Sequence, residues 1–174
     1  MRKRLAALAA AAVPLVALTL GAAPAHAASN EYNINIWFPL VGNNQPYQCL
    51  DIPGNNAASG QQLTSWQCGN TDQAERWNII YTDSYHFEIQ SVTNPNMCAN
   101  DWQGGDVSGN DIKLYTCNGD NDGTWNTVNT IGGLQLQPRS AAANCLNIWG
   151  GLGNGNPAKL YQCADVPNED VVIS

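Results

Sequence analysis

Histidine, positive charge and long apolar runs are scarce in this chain of 174 residues, and each scarcity removes a class of function. The two histidines are His26 and His86, and no C-x-x-C or H-x-x-x-H spacing occurs, so the sequence offers no metal site. A His-centred triad has as little to draw on, a G-x-S-x-G elbow is missing, and no cysteine is left over as a nucleophile. Carboxylates are numerous enough to make the pair a glycosidase needs, but nothing outside the repeats described below marks one, and the chain is shorter than such enzymes usually are. The reading is a binding protein, not an enzyme, with no cofactor.

Basic residues number seven against fourteen acidic ones. Three of the seven are Arg2, Lys3 and Arg4, followed by an apolar, alanine-rich stretch over 5–23 and by Ala25-His26-Ala27, a small-x-small cleavage signal. Residues 1–27 are therefore expected to be a secretory signal peptide; a retained membrane anchor is the alternative, and the cleavage site speaks against it. Residues 28–174 then form one soluble, secreted, extracellular domain carrying four basic and fourteen acidic side chains, a formal charge of −10. Such a surface repels nucleic acid and anionic membranes, and no later apolar run is long enough for membrane insertion.

What the chain does have is a pattern written three times. Its six cysteines fall into pairs, 49 with 68, 98 with 117 and 145 with 163, and the first members recur after 49 and 47 residues. Aligned on them, Cys49-Leu-Asp, Gly60 and Leu63-Thr-Ser-Trp-Gln-Cys68 match Cys98-Ala-Asn, Gly109 and Ile112-Lys-Leu-Tyr-Thr-Cys117, then Cys145-Leu-Asn, Gly155 and Ala158-Lys-Leu-Tyr-Gln-Cys163. Six cysteines allow 15 connectivities. In an oxidising compartment, a repeat holding two in every copy selects Cys49–Cys68, Cys98–Cys117 and Cys145–Cys163. Each bridge closes a short loop, worth ~3 kcal/mol in the chain-entropy model.

The repeats, approximately 31–83, 84–130 and 131–174, each show four short β-like runs between Gly/Asn/Ser loops and no sustained helical period. Twelve strands are expected, at 32–38, 47–52, 62–68, 76–81, 86–92, 97–102, 112–117, 125–129, 134–138, 144–149, 158–163 and 171–174. Units of this length cannot bury their apolar faces alone, so a closed all-β architecture is implied. Alternation along the third strand of each repeat puts Leu114 and Leu160 on the core face and Tyr115 and Tyr161 outward, with Trp66 in the same phase. An outward ring can stack on the C–H face of a sugar or simply cover a disulfide; recurrence at one position in three copies favours the sugar.

Carried by these residues, the chain resembles the ricin-B-type (R-type) lectin domain over the whole of 28–174. The resemblance implies an all-β fold, a β-trefoil of three disulfide-linked four-stranded repeats, with one potential sugar pocket per repeat and glycans or polysaccharide as partners. It makes Trp66, Tyr115 and Tyr161 the stacking residues. The position two after each first cysteine, Asp51, Asn100 and Asn147, becomes the group that grips a hydroxyl pair, although an Asx capping a turn fits there as well. An Asn ahead of a Gln-x-Trp motif corresponds to Gln73 or Ala74, Asp122 and Asn168, and every copy departs from that motif; Trp77 and Trp125 read as core residues. Alternation adds Trp102 and Trp149, as a second aromatic wall or as shields for a strand end, while Pro53 leaves the first pocket open on that side. The first pocket is expected to be the strongest, through Asp51 and Trp66, the third next, and binding to be multivalent and metal-independent. The competing expectation is a trefoil with degenerate pockets that binds a secreted protein partner, for instance as a protease inhibitor.

Intact-mass analysis of the exported protein is expected to find a chain starting at Ala28 and lacking six hydrogens, with peptide mapping placing each bridge inside one repeat. A bridge between repeats contradicts the alignment.

Overall fold

The structure, a computed structural model, describes residues 29–39, 47–69, 73–105, 107–140 and 143–174. The expected signal peptide over 1–27 lies outside the described residues. The strands are β1 (Glu31–Ile34), β2 (Ile36–Phe38), β3 (Gln48–Asp51), β4 (Thr64–Gln67), β5 (Trp77–Tyr81), β6 (Phe87–Ser91) and β7 (Met97–Asp101), then β8 (Ile112–Thr116), β9 (Thr124–Asn129), β10 (Leu134–Pro138), β11 (Asn144–Ile148), β12 (Ala158–Gln162) and β13 (Val172–Ile173). The run expected over 32–38 is broken at Asn35. Asn33 turns into the left-handed region (φ 56°), so β1 pairs with β5 while β2 pairs with β3 and β13.

Three hairpins, β3–β4, β7–β8 and β11–β12, carry the cysteines and share one register. Cys49 lies opposite Trp66, Cys98 opposite Tyr115 and Cys145 opposite Tyr161. Because side chains alternate along a strand, the intervening pairs Leu50–Ser65, Ala99–Leu114 and Leu146–Leu160 point to the core. The polar intruder among them, Ser65, is fully buried and donates its hydroxyl hydrogen to the Gly153 carbonyl at 2.6 Å. The bridges Cys49–Cys68, Cys98–Cys117 and Cys145–Cys163 hold the open ends of the hairpins at Cα separations of 5.0–5.1 Å.

A ring of backbone hydrogen bonds joins the repeats cyclically. Gly60 N–H donates to Leu114 O, Gly109 N–H to Leu160 O and Gly155 N–H to Ser65 O, each at 2.8 Å. The three glycines have φ of 86°, 99° and 83°, a conformation that a Cβ disfavours, which explains glycine at one place in every copy. On the axis of the ring, Gln62 Nε2 lies within hydrogen-bonding distance of one carbonyl from each repeat, Leu63 at 2.9 Å, Ile112 at 3.0 Å and Ala158 at 2.8 Å. This cyclic threefold closure is that of a β-trefoil.

Trp77 and Trp125 are fully buried and donate their indole N–H to Leu50 O and Ala99 O, at 3.0 and 2.9 Å. Val171 takes the third place, also buried, without such a donor. Gln62→Ala removes a side chain that reaches all three repeats and is expected to cost about 1–3 kcal/mol, read as a lower denaturant midpoint with an unchanged slope; an unchanged midpoint contradicts its joining role.

Candidate functional site

The face of each cysteine hairpin turned away from the core carries the predicted side chains. In the first repeat the register puts Cys49, Asp51, Thr64 and Trp66 on that face. In the second it puts Cys98, Asn100, Lys113 and Tyr115 together, and in the third Cys145, Asn147, Lys159 and Tyr161. The aromatic rings remain in solvent, with relative exposures of 41% for Trp66, 41% for Tyr115 and 45% for Tyr161. Asp51, Asn100 and Asn147 are instead buried. In each copy the segment ahead of the next strand lies across them, tied down by one repeated bond: Ile52 N–H to Ala74 O, Asp101 N–H to Asp122 O and Ile148 N–H to Asn168 O, at 2.8–3.0 Å.

The first repeat has a cavity of about 440 Å³ lined by Asp51, Pro53, Thr64, Trp66, Ala74 and, from the third repeat, Gly155. From the segment that carries the expected amide, Ala74 lines it, and Gln73 is exposed. The Thr64 hydroxyl is buried with no hydrogen-bond partner among the described residues.

The second repeat has a smaller cavity of about 240 Å³, lined by Asn100, Asp101, Trp102, Tyr115, Asp120 and Asp122 among others. Two substitutions distinguish this hairpin from the first. Trp102 stands where the first repeat has Pro53 and meets Tyr115 edge to face, centroids 5.9 Å apart. Lys113 replaces Thr64, its ammonium 5.4 Å from the Trp102 ring and 3.1 Å from Asp111. The Asn100 amide, oriented to satisfy both neighbours, donates to Asp101 O at 2.9 Å and accepts from Gly123 N–H at 3.2 Å.

In the third repeat Trp149 and Tyr161 form the matching edge-to-face pair at 5.5 Å. The amides beneath are committed internally, Asn147 Nδ2 donating to Glu169 at 2.8 Å and Asn168 Nδ2 to Ile148 O at 3.1 Å. Lys159 joins Lys113 on Asp111. Burial alone raises the Asp111 carboxyl, but the hydrogen bonds from Lys159 and Lys113 outweigh it and hold the group below its ordinary range.

The motif's Gln position holds Glu75 and Glu169, both buried, and each does backbone work. Glu75 accepts from Gly69 N–H at 3.1 Å, and Glu169 from Ala164 N–H at 2.6 Å, in each case the residue just after the second cysteine. In the second repeat Gly123 has no side chain to do this, and Glu88 takes Gly119 N–H at 2.8 Å. The sequence signal for these roles was the acidic residue two before the core Trp or Val. Among the described residues the two acid–cysteine groups close enough to suggest a metal, Cys49–Cys68–Glu75 and Glu88–Cys98–Cys117, have their sulfurs consumed in bridges, and only a thiolate is a ligand.

Residues 37–168 match the family model described as the ricin-type beta-trefoil lectin domain. The chain belongs to this family. No curated protein sequence matches it. Among solved structures, the designed threefold-symmetric protein ThreeFoil aligns with a TM-score of 0.70 at 11% identity, over 80% of this chain and 96% of that one. The C-half of the earthworm R-type lectin, in complex with GalNAc, aligns at 0.52 and 19% identity, over 82% and 98%. An exo-β-1,3-galactanase from Clostridium thermocellum aligns at 0.68 and 14% identity, over 82% of this chain but 30% of that chain, so there the trefoil is one part of a larger enzyme. At these identities the likeness is one of fold. Among the described residues no helix is long and apolar enough to cross a membrane.

Burial, the largest influence on Glu169, raises its carboxyl above the ordinary 4.5, ahead of the hydrogen bonds from Ala164 and Asn147 that lower it. The folded protein then binds more protons here than the unfolded chain between that ordinary value and the raised one, so stability falls as pH rises through the interval. Glu169→Gln removes the ionisation while keeping an acceptor for Ala164 and, with the Asn147 amide turned, a bond to it. Its melting temperature relative to the parent is expected to be higher at about pH 7 than at about pH 4; a difference independent of pH contradicts the assignment.

Proposed function

We propose that the protein is a secreted, metal-independent carbohydrate-binding module whose principal site is the first-repeat cavity. The observation that carries this is the placement of Asp51 and Trp66 on one hairpin face around a cavity of about 440 Å³. A pyranose stacks the C–H face of its ring on the Trp66 indole, and an adjacent hydroxyl pair donates to the two oxygens of Asp51, bonds strengthened by the full charge. Pro53 and Thr64 leave room where the other repeats carry tryptophan and lysine. Family membership supports the reading, as does the sugar named in the earthworm lectin complex, which belongs to that protein.

The other two sites are auxiliary. Tyr115 and Trp102, with Asn100 and Asp122 beside them, offer a narrower aromatic corner. Tyr161 and Trp149 offer an aromatic surface over Asn147 and Asn168, whose amides are bonded within the protein, so stacking outweighs hydroxyl recognition there. On one rigid barrel, three sites that grip a clustered glycan together raise avidity by ~10²–10⁴ over any one of them.

Asp51→Ala is expected to cost ~1.5–3 kcal/mol of monosaccharide binding, at least tenfold in affinity, and Trp66→Ala a comparable loss, with circular dichroism unchanged. Tyr115→Ala with Tyr161→Ala should spare monosaccharide affinity and reduce retention on polysaccharide, and EDTA should change neither. Unaltered calorimetric titrations for Asp51→Ala and Trp66→Ala move the principal site elsewhere. Absence of any glycan binding, with capture of a secreted protein, favours the protein-binding alternative.

A further inference from the structure

A cavity of about 460 Å³ lies between the β5–β6 turn and the β9–β10 hairpin and draws no residue from the three cysteine hairpins. Its chemistry differs from theirs in offering a guanidinium. The second-repeat cavity has Asp101, Asp120 and Asp122 in its wall, whereas this one is lined by Tyr85, His86, Asn126, Gln137 and Arg139, among others, and by no carboxylate. Only four basic residues occur in 28–174. Two of them, Lys113 and Lys159, are held by Asp111 at 3.1 Å or less, whereas Arg139 meets its carboxylate neighbour, Asp83, only at 3.5 Å.

The wall is also built. Beside it Asp83, its side chain 40% exposed, accepts from Tyr85 N–H at 2.8 Å, from His86 N–H at 2.9 Å and from the His86 imidazole Nδ1 at 2.8 Å. These bonds, the Tyr85 N–H first and the imidazole second, lower its pKa to about 2, so it is a fixed anion at any ordinary pH. Nδ1 is thereby occupied, and Nε2 is the imidazole's remaining polar atom. Arg139 Nη1 reaches the same carboxylate at 3.5 Å, with the Arg139 side chain 46% exposed. That contact is long for an ion pair and orients the guanidinium without using up its fork of five donors. Tyr85, 79% exposed, gives the cavity a flat apolar face.

We propose that this cavity binds a carboxylate-bearing sugar, a uronate unit. Arg139 pairs with the carboxylate, Tyr85 packs on the C–H face of the ring, and His86, Asn126 and Gln137 meet the hydroxyls. An aromatic face with amides alone suits any sugar; the guanidinium, whose long contact with Asp83 leaves most of its donors for a second carboxylate, selects the acidic one. The proposal does not depend on whether the cysteine-hairpin sites bind sugar.

The test is an amide NMR titration with trigalacturonate and with its methyl ester, which has the same ring but no charge. It is run in the Asp51→Ala, Tyr115→Ala, Tyr161→Ala background, so that the hairpin sites do not contribute. The expected result is shift changes at Tyr85, Asn126, Gln137 and Arg139, with the ester at least tenfold weaker than the acid. Arg139→Gln should weaken the acid at least tenfold. Tyr85→Ala, at an exposed position that does not threaten folding, should weaken acid and ester alike. Equal affinity for acid and ester, unchanged affinity in Arg139→Gln and Tyr85→Ala, or shift changes absent from these residues overturns the proposal. Neutral-sugar binding by the parent is a separate reading, and its failure leaves this titration decisive.

Discussion

The shared register of three hairpins is the constraint on which the sites depend. Cys49 opposite Trp66, Cys98 opposite Tyr115 and Cys145 opposite Tyr161 put an aromatic ring on the solvent face only while each pairing holds. A slip by one residue turns the ring into the core and brings a core leucine or Ser65 out. The bridges pin that register at the hairpin's open end, and the cyclic bonds from Gly60, Gly109 and Gly155 pin it at the other by tying each hairpin to the next repeat. Fold and site geometry are therefore one problem, solved three times by the same local pairing.

Within that frame the repeats have diverged in chemistry. Pro53, Trp102 and Trp149 occupy one position, Thr64, Lys113 and Lys159 a second, and Ala74, Asp122 and Asn168 a third. The first set opens a cavity, because proline and threonine are short. The second narrows it and surrounds it with carboxylates. In the third, Glu169 takes the Asn147 amide for itself. The lysines at the second position meet at Asp111, which couples the second and third repeats near the axis and leaves the first without a counterpart. Equal folds with unequal pockets follow from substitutions that do not touch the hairpin register.

The trefoil, its disulfides and the outward phase of the rings were legible because each is local or repeated: alternation places Tyr115 and Tyr161, and paired cysteines in every copy select the bridges. The break at Asn35 was not legible, since it is set by β1 and β2 pairing with different partners far along the chain. Nor was the burial of Asp51, Asn100 and Asn147, which comes from the segments through Ala74, Asp122 and Asn168 folding back over them. The departures from the Gln-x-Trp motif read as losses in the sequence, yet Glu75 and Glu169 still serve the fold by accepting backbone N–H groups. The cavity around Arg139 gathers residues from 81–87, 126–127 and 137–139, a juxtaposition that no spacing within one repeat reveals.

In the proposed principal site one cysteine hairpin presents a ring and a carboxylate to the same sugar. A crystal structure with a neutral oligosaccharide, chosen as the best ligand on a glycan array, tests it most directly. The expected result is a pyranose stacked on Trp66 with two hydroxyl oxygens within hydrogen-bonding distance of Asp51. A well-ordered sugar bound elsewhere, with the first-repeat cavity filled by solvent alone, would contradict it.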